Sequence, residues 1–309
     1  MFAGLTESLL PIQQRLLKPL QRQRLALAIG EASLGLLVYA AKGDAVVLEN
    51  FLEVPLPAGV CRDGVPQLPE ALGDLVGDLL LQNGLAAPGA VALVPTPAVQ
   101  MRYLQLPPGA LQLELVELLA AQEHQLQLPF ALAQAEWSVQ RRGEGWLAAF
   151  MATSSIDRWI QTFNAAGLDL HRLQPACLGV EPLLPQPLSA SASDSWCGNL
   201  HLAERQWQLM LWAGNAPQLL REFEPGDGLN WLIGQLQQRQ LRLQQLWLTG
   251  PGAAEPQLWQ SWQQRLGCEC QALDPLASPR LRLAPQWLPP AHSGQLDWLI
   301  GAALVEWEP

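Results

Sequence analysis

One ordering of strand-like and helix-like segments occurs twice in this chain, and it restricts the fold more than any single residue does. Residues 24–29, 34–40 and 45–54 alternate or run apolar in the manner of β-strands. Short turns, Gly30-Glu31-Ala32-Ser33 and Lys42-Gly43-Asp44, join them. A helical period over 69–82 closes at Asn83-Gly84, and an apolar strand at 91–94 runs into Pro95-Thr96-Pro97. After residue 195 the order returns in shortened form. A hairpin at 198–201 and 207–212 precedes a third strand at 218–223 and a glutamine-rich helix over 227–241. A strand at 246–248 then ends in Thr249-Gly250-Pro251-Gly252, followed by a helix over 257–266, a strand at 268–273 and a terminal helix over 295–306. The repetition predicts an α/β protein of two related domains.

Between the two halves lies a block with its own character. It contains a strand over 99–106, a helix over 111–125, a hairpin at 135–140 and 146–152 around residues 141–145, a helix over 155–166 and a strand at 170–173. Proline and serine crowd residues 182–195, the composition of a linker. The expected divisions are an arm over 1–23, a first domain over 24–181 with an insertion near 97–160, the linker, and a reduced second domain over 196–309 that includes the terminal helix. In the arm, Leu9, Ile12, Leu16 and Leu20 recur at helical spacing beside basic residues, but Pro11 and Pro19 interrupt a single helix. Two readings of the arm stay open: contact through residues 1–24 with an anionic membrane surface or a partner, and packing on its own domain.

Composition removes several function classes. The 309 residues carry a net charge of −10, are 49% hydrophobic and only 15% charged. That is too apolar for a disordered chain and too acidic for a nucleic-acid binder. Five scattered cysteines do not make a disulfide framework, and no secretory h-region is evident, so a cytoplasmic setting is expected. The only lysines are Lys18 and Lys42, which leaves few cations for phosphate. Of thirteen tryptophans, ten follow residue 195, which suggests an exposed aromatic surface for protein contact.

Other constellations point to structure rather than chemistry. Cys268-Glu269-Cys270 could be half a metal clip, yet no second pair stands at zinc spacing, and two thiols on one strand face read as buried positions. His124, His171, His201 and His292 fall in different elements with no serine elbow, and surface or linker positions are expected for them. Glu114 and Glu117 share a helical face expected to be solvated, and Arg141-Arg142 reads as a solvated hairpin tip.

Several segments together resemble a known family. They are Val-Ala-Leu-Val-Pro (91–95), Val-Gln-Met-Arg-Tyr-Leu-Gln-Leu-Pro (99–107), Gln-Leu-Gln-Leu-Pro-Phe (125–130), Phe-Asn-Ala-Ala-Gly-Leu-Asp-Leu (163–170), Leu-Gln-Pro-Ala-Cys-Leu (173–178), Leu-Trp-Leu-Thr-Gly-Pro-Gly (246–252), Asp-Pro-Leu (274–276) and Leu-Asp-Trp-Leu-Ile-Gly-Ala-Ala-Leu (296–304). This series resembles the PilM family of actin-like type IV pilus assembly proteins. The resemblance implies an actin-like (ribonuclease H-like) two-domain fold with a small α+β subdomain inserted in the first domain. It also implies a groove beside that subdomain that holds the cytoplasmic tail of a PilN-like inner-membrane protein, with Tyr103, Leu104, Leu106 and Phe130 as its implied contacts here. Other pilus assembly proteins would be further partners, in twitching motility or competence.

In the same light, the nucleotide turns look degenerate. The first phosphate turn would read Asp-Ile-Gly-x-x-Ser-x-Lys; this chain has Ala28-Ile29-Gly30-Glu31-Ala32-Ser33-Leu34-Gly35, keeping Gly30 and Ser33 without the metal-directed carboxylate or the lysine. The second turn, matched to 196–202, keeps only Gly198, and the adenosine turn keeps Gly250 and Gly252. Between 223 and 246 there is room for little more than one helix, where the family carries a further subdomain. The expectation is a non-catalytic scaffold that binds neither ATP nor another cofactor. The alternatives are an actin-like ATPase with a rebuilt site, and the cytoplasmic module of a type II secretion L-type protein.

Overall fold

In the computed structural model the described residues are 23–306 apart from 86, 88, 106–111, 186–194, 204–205, 215, 226–227, 239 and 289–294. The arm read at 1–23 therefore lies almost wholly outside the described residues, as do Leu106, His292 and most of the linker.

The first five segments form as their patterns require. Strands β1 (Gln23–Ile29), β2 (Ser33–Lys42) and β3 (Ala45–Pro55) form an antiparallel meander. A two-residue pair, β4 (Cys61–Arg62) and β5 (Val65–Pro66), leads to α1 (Pro69–Gln82), and β6 (Gly89–Val94) then lies parallel to β1. The strands are apolar over their buried stretches, 25–29, 34–40 and 45–48, because both faces are covered there. On β1, Leu25, Leu27 and Ile29 enter one core and Ala26 and Ala28 the other. A leucine or isoleucine buried this fully contributes about 1.5–3 kcal/mol.

The inserted block forms its own sheet. Strands β7 (Gln100–Leu104), β8 (Ala135–Arg142) and β9 (Gly145–Ala152) are ordered β7-β9-β8, with α2 (Gln112–Ala121) and the one-turn α3 (Glu123–Leu126) beside them. The single helix expected over 111–125 is thus two pieces, closed by Gln127 at φ 48°. The hairpin turn is only Gly143-Glu144, since Arg142 pairs with Gly145. Arg141 and Arg142 therefore belong to the strand rather than the loop. Helix α4 (Thr153–Ala165) and strand β10 (Asp169–Pro175) return the chain to the first sheet. A 3-10 segment, Ala176–Leu183, follows. It runs into the stretch read as linker, where Leu183 and Leu184 are buried.

The second sheet is built from β11 (Ser195–Leu202), β12 (Trp207–Ala213), β13 (Ala216–Phe223), β14 (Arg242–Thr249) and β15 (Glu269–Ala272). Its order, β13-β12-β11-β14-β15, mirrors β3-β2-β1-β6-β10 strand for strand, antiparallel meander and parallel neighbours alike. Helices α5 (Gly228–Gln238) and α6 (Pro256–Leu266) accompany this sheet, and α5 is the only described helix between β13 and β14.

The last residues depart from the expected division. Strand β16 (Leu281–Leu283), absent from the sequence reading, pairs with β3 at the edge of the first sheet. Helix α7 (Leu296–Glu306), assigned by sequence to the second domain, packs on the first: Leu296, Leu299, Ile300, Ala302, Ala303 and Leu304 share a core with Ala26, Ala28, Leu37 and Val91. An almost wholly apolar helix must be covered, and this face of the first sheet supplies the cover. The tryptophan surface is also corrected. Among the described residues no tryptophan is exposed, and Trp207, Trp212, Trp247, Trp262 and Trp287 are buried. Trp207 and Trp212 lie on opposite faces of β12, in different cores. No described helix is long and apolar enough to cross a membrane.

Candidate functional site

The repeated sheets turn the ends of β1, β6, β11 and β14 toward one cleft, and the sequence matches placed three glycine turns there. The first is present: Gly30 N–H donates to Ser33 O at 2.9 Å, closing the β1–β2 turn. The second match is corrected. Residues 196–202 are all strand β11, and Gly198 sits within it, paired with Leu211. A Cβ at Gly198 would lie 2.8 Å from both Leu211 Cδ2 and Leu246 Cδ1, so its smallness serves packing rather than a turn. Gly250, at φ 79°, does occupy a turn, after β14. Gly252 follows within a short 3-10 segment, where a Cβ would lie 2.8 Å from Leu202 Cβ.

The start of α7 fills this cleft with side chains. Gln295 Nε2 donates to Ser33 O at 3.3 Å and to Ser33 Oγ at 3.2 Å. Its amide lies across both glycines of the first turn, where a Cβ on Gly35 would overlap Gln295 Oε1. Two residues on, Asp297 Oδ2 accepts the Gly250 N–H at 2.7 Å. Trp298 stacks on His201 with ring centroids 4.1 Å apart. His201 is 2% exposed, contrary to the surface or linker position expected for it, and its Nδ1 is 3.1 Å from Thr249 Oγ1. Asn199 Nδ2 donates to Thr249 Oγ1 at 3.1 Å. Across the cleft, Gln208 Nε2 of β12 donates to Thr96 Oγ1 and to Glu222 Oε1, the latter at 3.1 Å.

This arrangement joins the two halves through amides, hydroxyls, stacked rings and the Asp297 carboxyl. Lys42, the one described lysine, stands at the β2–β3 turn. Glu31 and Glu53 near the first turn are also engaged: Glu31 Oε1 accepts from Asp63 N at 3.0 Å and Glu53 Oε1 from Ser33 Oγ at 3.2 Å.

Burial pushes the Asp297 carboxyl up to about 6; the Gly250 N–H opposes this and the Asp274 charge adds to it. A carboxyl raised in the folded state holds its proton more tightly there than in the unfolded chain. Its contribution to stability therefore falls as pH rises from about 4 to about 6 and is level above that. Asp297→Asn keeps an oxygen for Gly250 and removes the charge. Urea unfolding is expected to find it equal to wild type near pH 4 and about 1–3 kcal/mol more stable near pH 8.

The implied partner contacts lie in the small subdomain. Leu104 and Phe130 are half-buried and pack on its core of Leu119, Leu126, Ala148 and Phe150. The Tyr103 hydroxyl donates to the Arg142 carbonyl at 3.0 Å. Leu106 lies outside the described residues. Arg142 itself is no solvated tip: its Nη2 is 2.8 Å from Glu181 Oε2, and Glu181 Oε1 accepts the Trp212 Nε1–H at 3.0 Å. Segment 296–304 entered the sequence reading only as terminal helix and as part of the family resemblance, and neither this grouping nor the contacts of Gln295, Asp297 and Trp298 were legible there. The one signal was Glu181, a lone acid in the apolar stretch 176–184.

The thiols of Cys268 and Cys270 are buried, and their interaction with each other, with burial, pushes Cys268 up. They line an open depression of about 1080 Å³ between α6 and β15, with Trp259 and Gln263. No group of three or more metal-ligating side chains occurs among the described residues.

The structure was compared with known proteins. It is similar to a chain of the PilM-PilN type IV pilus biogenesis complex, with a TM-score of 0.76 and 18% identity, over 94% of this chain and 100% of that one. A Bacteroides thetaiotaomicron protein of actin-like ATPase fold and unknown function follows at TM-score 0.54 and 9% identity, covering 85% and 95% of the two chains. The chain has an actin-like fold. Ethanolamine utilization protein EutJ from Carboxydothermus hydrogenoformans is similar at TM-score 0.50 and 11% identity, over 91% and 89%. No protein-family model and no curated protein matches the sequence. The mirrored sheets are the two halves of this fold, and the Gln295–Trp298 run bridges them.

Proposed function

We propose that the chain is a non-catalytic, cytoplasmic scaffold of a type IV pilus assembly machine, and that it binds the cytoplasmic tail of a PilN-like inner-membrane protein. The observation that carries this reading is the full-length likeness to a chain of the PilM-PilN complex. The chemistry of the cleft supports the non-catalytic part. Ala28 stands where a metal-directed carboxylate would be needed, Gly35 where a phosphate-facing lysine would be, and Gln295 lies over both turn glycines. Each missing charge forfeits a charge-assisted contact with phosphate or metal, roughly twice as strong as a neutral hydrogen bond.

Two titrations test the two parts. A synthetic peptide of the cytoplasmic tail from the PilN-like protein of the same genome is expected to bind the purified chain, and absence of binding overturns the scaffold reading. Magnesium with ATP is expected to give no heat up to millimolar nucleotide. Magnesium-dependent binding near micromolar affinity would instead establish the ATPase alternative.

A further inference from the structure

Three parts of the molecule meet at one carboxylate. Arg142 comes from the end of β8 in the small subdomain, Glu181 from the 3-10 segment leading out of the first domain, and Trp212 from β12 of the second. The two oxygens of Glu181 are divided between the other two partners, at 2.8 Å and 3.0 Å. The Arg142 and Glu181 side chains are 26% and 13% exposed and Trp212 is fully buried. Glu181 is the side-chain partner of the guanidinium among the described residues, and Arg142 Nε is buried with no hydrogen-bond partner there.

Arg142 is held at its other end as well. Its carbonyl accepts the Tyr103 hydroxyl, and the Tyr103 ring covers Gly145 so closely that a Cβ there would lie 2.6 Å from Tyr103 Oη. Tyr103 is one of the four residues that the family resemblance puts beside the bound tail. A second tie, Gln208 to Thr96, grips the chain just before β7. A displacement of the small subdomain would pull the guanidinium from a carboxylate that has little water to replace it. Such a contact is either made or broken, with little between, because an unpaired charge in a buried site is costly.

We propose that the Arg142–Glu181–Trp212 junction is a latch that docks the small subdomain on the second domain, and that occupancy of the subdomain's groove is transmitted to the second domain through it. The proposal rests on the tail-binding reading above. A ligand that favours the docked form shifts the population toward it, and weakening the latch must in turn weaken the ligand.

Spin labels at the exposed positions Ser138 and Gln238 read the docking directly, without any ligand. Wild type is expected to give one narrow distance distribution. Arg142→Met is expected to add a second, displaced population, to lower tail-peptide affinity about tenfold, and to return to the narrow distribution when the peptide is saturating. Arg142→Met with Glu181→Gln removes both charges while the new amide oxygen still accepts the Trp212 N–H, and is expected to restore the narrow distribution, since no buried charge or donor is left unpaired. This double variant also separates loss of the latch from failure to fold. An unchanged narrow distribution in folded Arg142→Met overturns the latch. If wild type does not bind the peptide, the tail-binding reading falls, and the transmitted effect with it, while the distances still decide whether the junction docks the subdomain.

Discussion

Gly301→Ala is expected to leave the protein largely unfolded. Helix α7 crosses the 3-10 segment Ala176–Leu183 at this residue, and a methyl group on Gly301 would overlap the Gly179 carbonyl oxygen. The approach is backbone against backbone on both sides, for a Cβ on Gly179 would lie 2.6 Å from Trp298 O. No rotamer can relieve such a clash; the helix must lift, and the core beneath Leu299, Ile300 and Ala303 opens with it. Core overpacking typically costs about 1–3 kcal/mol, and a backbone overlap that no side chain can absorb is expected to cost more. Urea unfolding followed by circular dichroism measures it. Gly234→Ala is the opposite-signed control. Gly234 lies in α5, and a methyl group there would have nothing within 4 Å, so alanine is expected to add about 0.5–1 kcal/mol. Equal stability of Gly301→Ala and wild type would mean that α7 does not cross the first domain in this way.

Trp212→Ala is expected to be nearly as damaging, and for two separable reasons. The ring is fully buried among Cys177, Val180, Leu184, Met210 and Trp247, the cluster that joins the two domains. Removing it creates a cavity costing about 3–5 kcal/mol. It also strips Glu181 of one of its two partners. Trp212→Phe retains most of the ring and loses only the indole N–H. It is expected to cost about 1–3 kcal/mol, the penalty for a buried acceptor left short of a donor. If the two variants lost the same stability, the hydrogen bond would dominate and the cavity argument would be wrong.

These two sites show where legibility ended. Gly301 sits in a segment that the sequence does assign, as a terminal helix in the right place. The pattern of that helix shows only that it needs burial on nearly every side, and chain order suggested the second domain as the neighbour. Its true neighbour, the first sheet, is reached by crossing back over more than two hundred residues, and periodicity carries no record of such a partner. Arg142 failed for a related reason. A basic pair beside Gly143-Glu144-Gly145 looks like a hairpin tip, and only the two-residue turn, with Glu181 and Trp212 beyond it, makes it a buried contact. The tryptophans were misread in the same sense: their number was evident, but whether an aromatic ring faces water or another domain depends on what packs above it.

The second phosphate turn is a different kind of miss. Gly198 is a real glycine in a real strand, and motif spacing placed it at a turn that the strand does not reach until after Leu202. The glycine has a packing cause, the leucines that would meet a side chain there. Gly250 was legible because its turn, at φ 79°, needs a conformational freedom that is written in the residue itself.

What the sequence determined alone was local and repetitive: strands and helices in nearly their observed bounds, two copies of one order, and the absence of the acid and the lysine that the first turn would need. Period, turn chemistry and residue type act over a few neighbours, so they can be read without knowing the partner. The tertiary structure decided the rest: that α7 closes the first domain, that Gln295, Asp297 and Trp298 fill the cleft, and that Arg142, Glu181 and Trp212 tie three parts together. Each of these depends on groups far apart in the chain meeting at a few ångströms, and it is burial and hydrogen-bond satisfaction across the whole molecule that selects them.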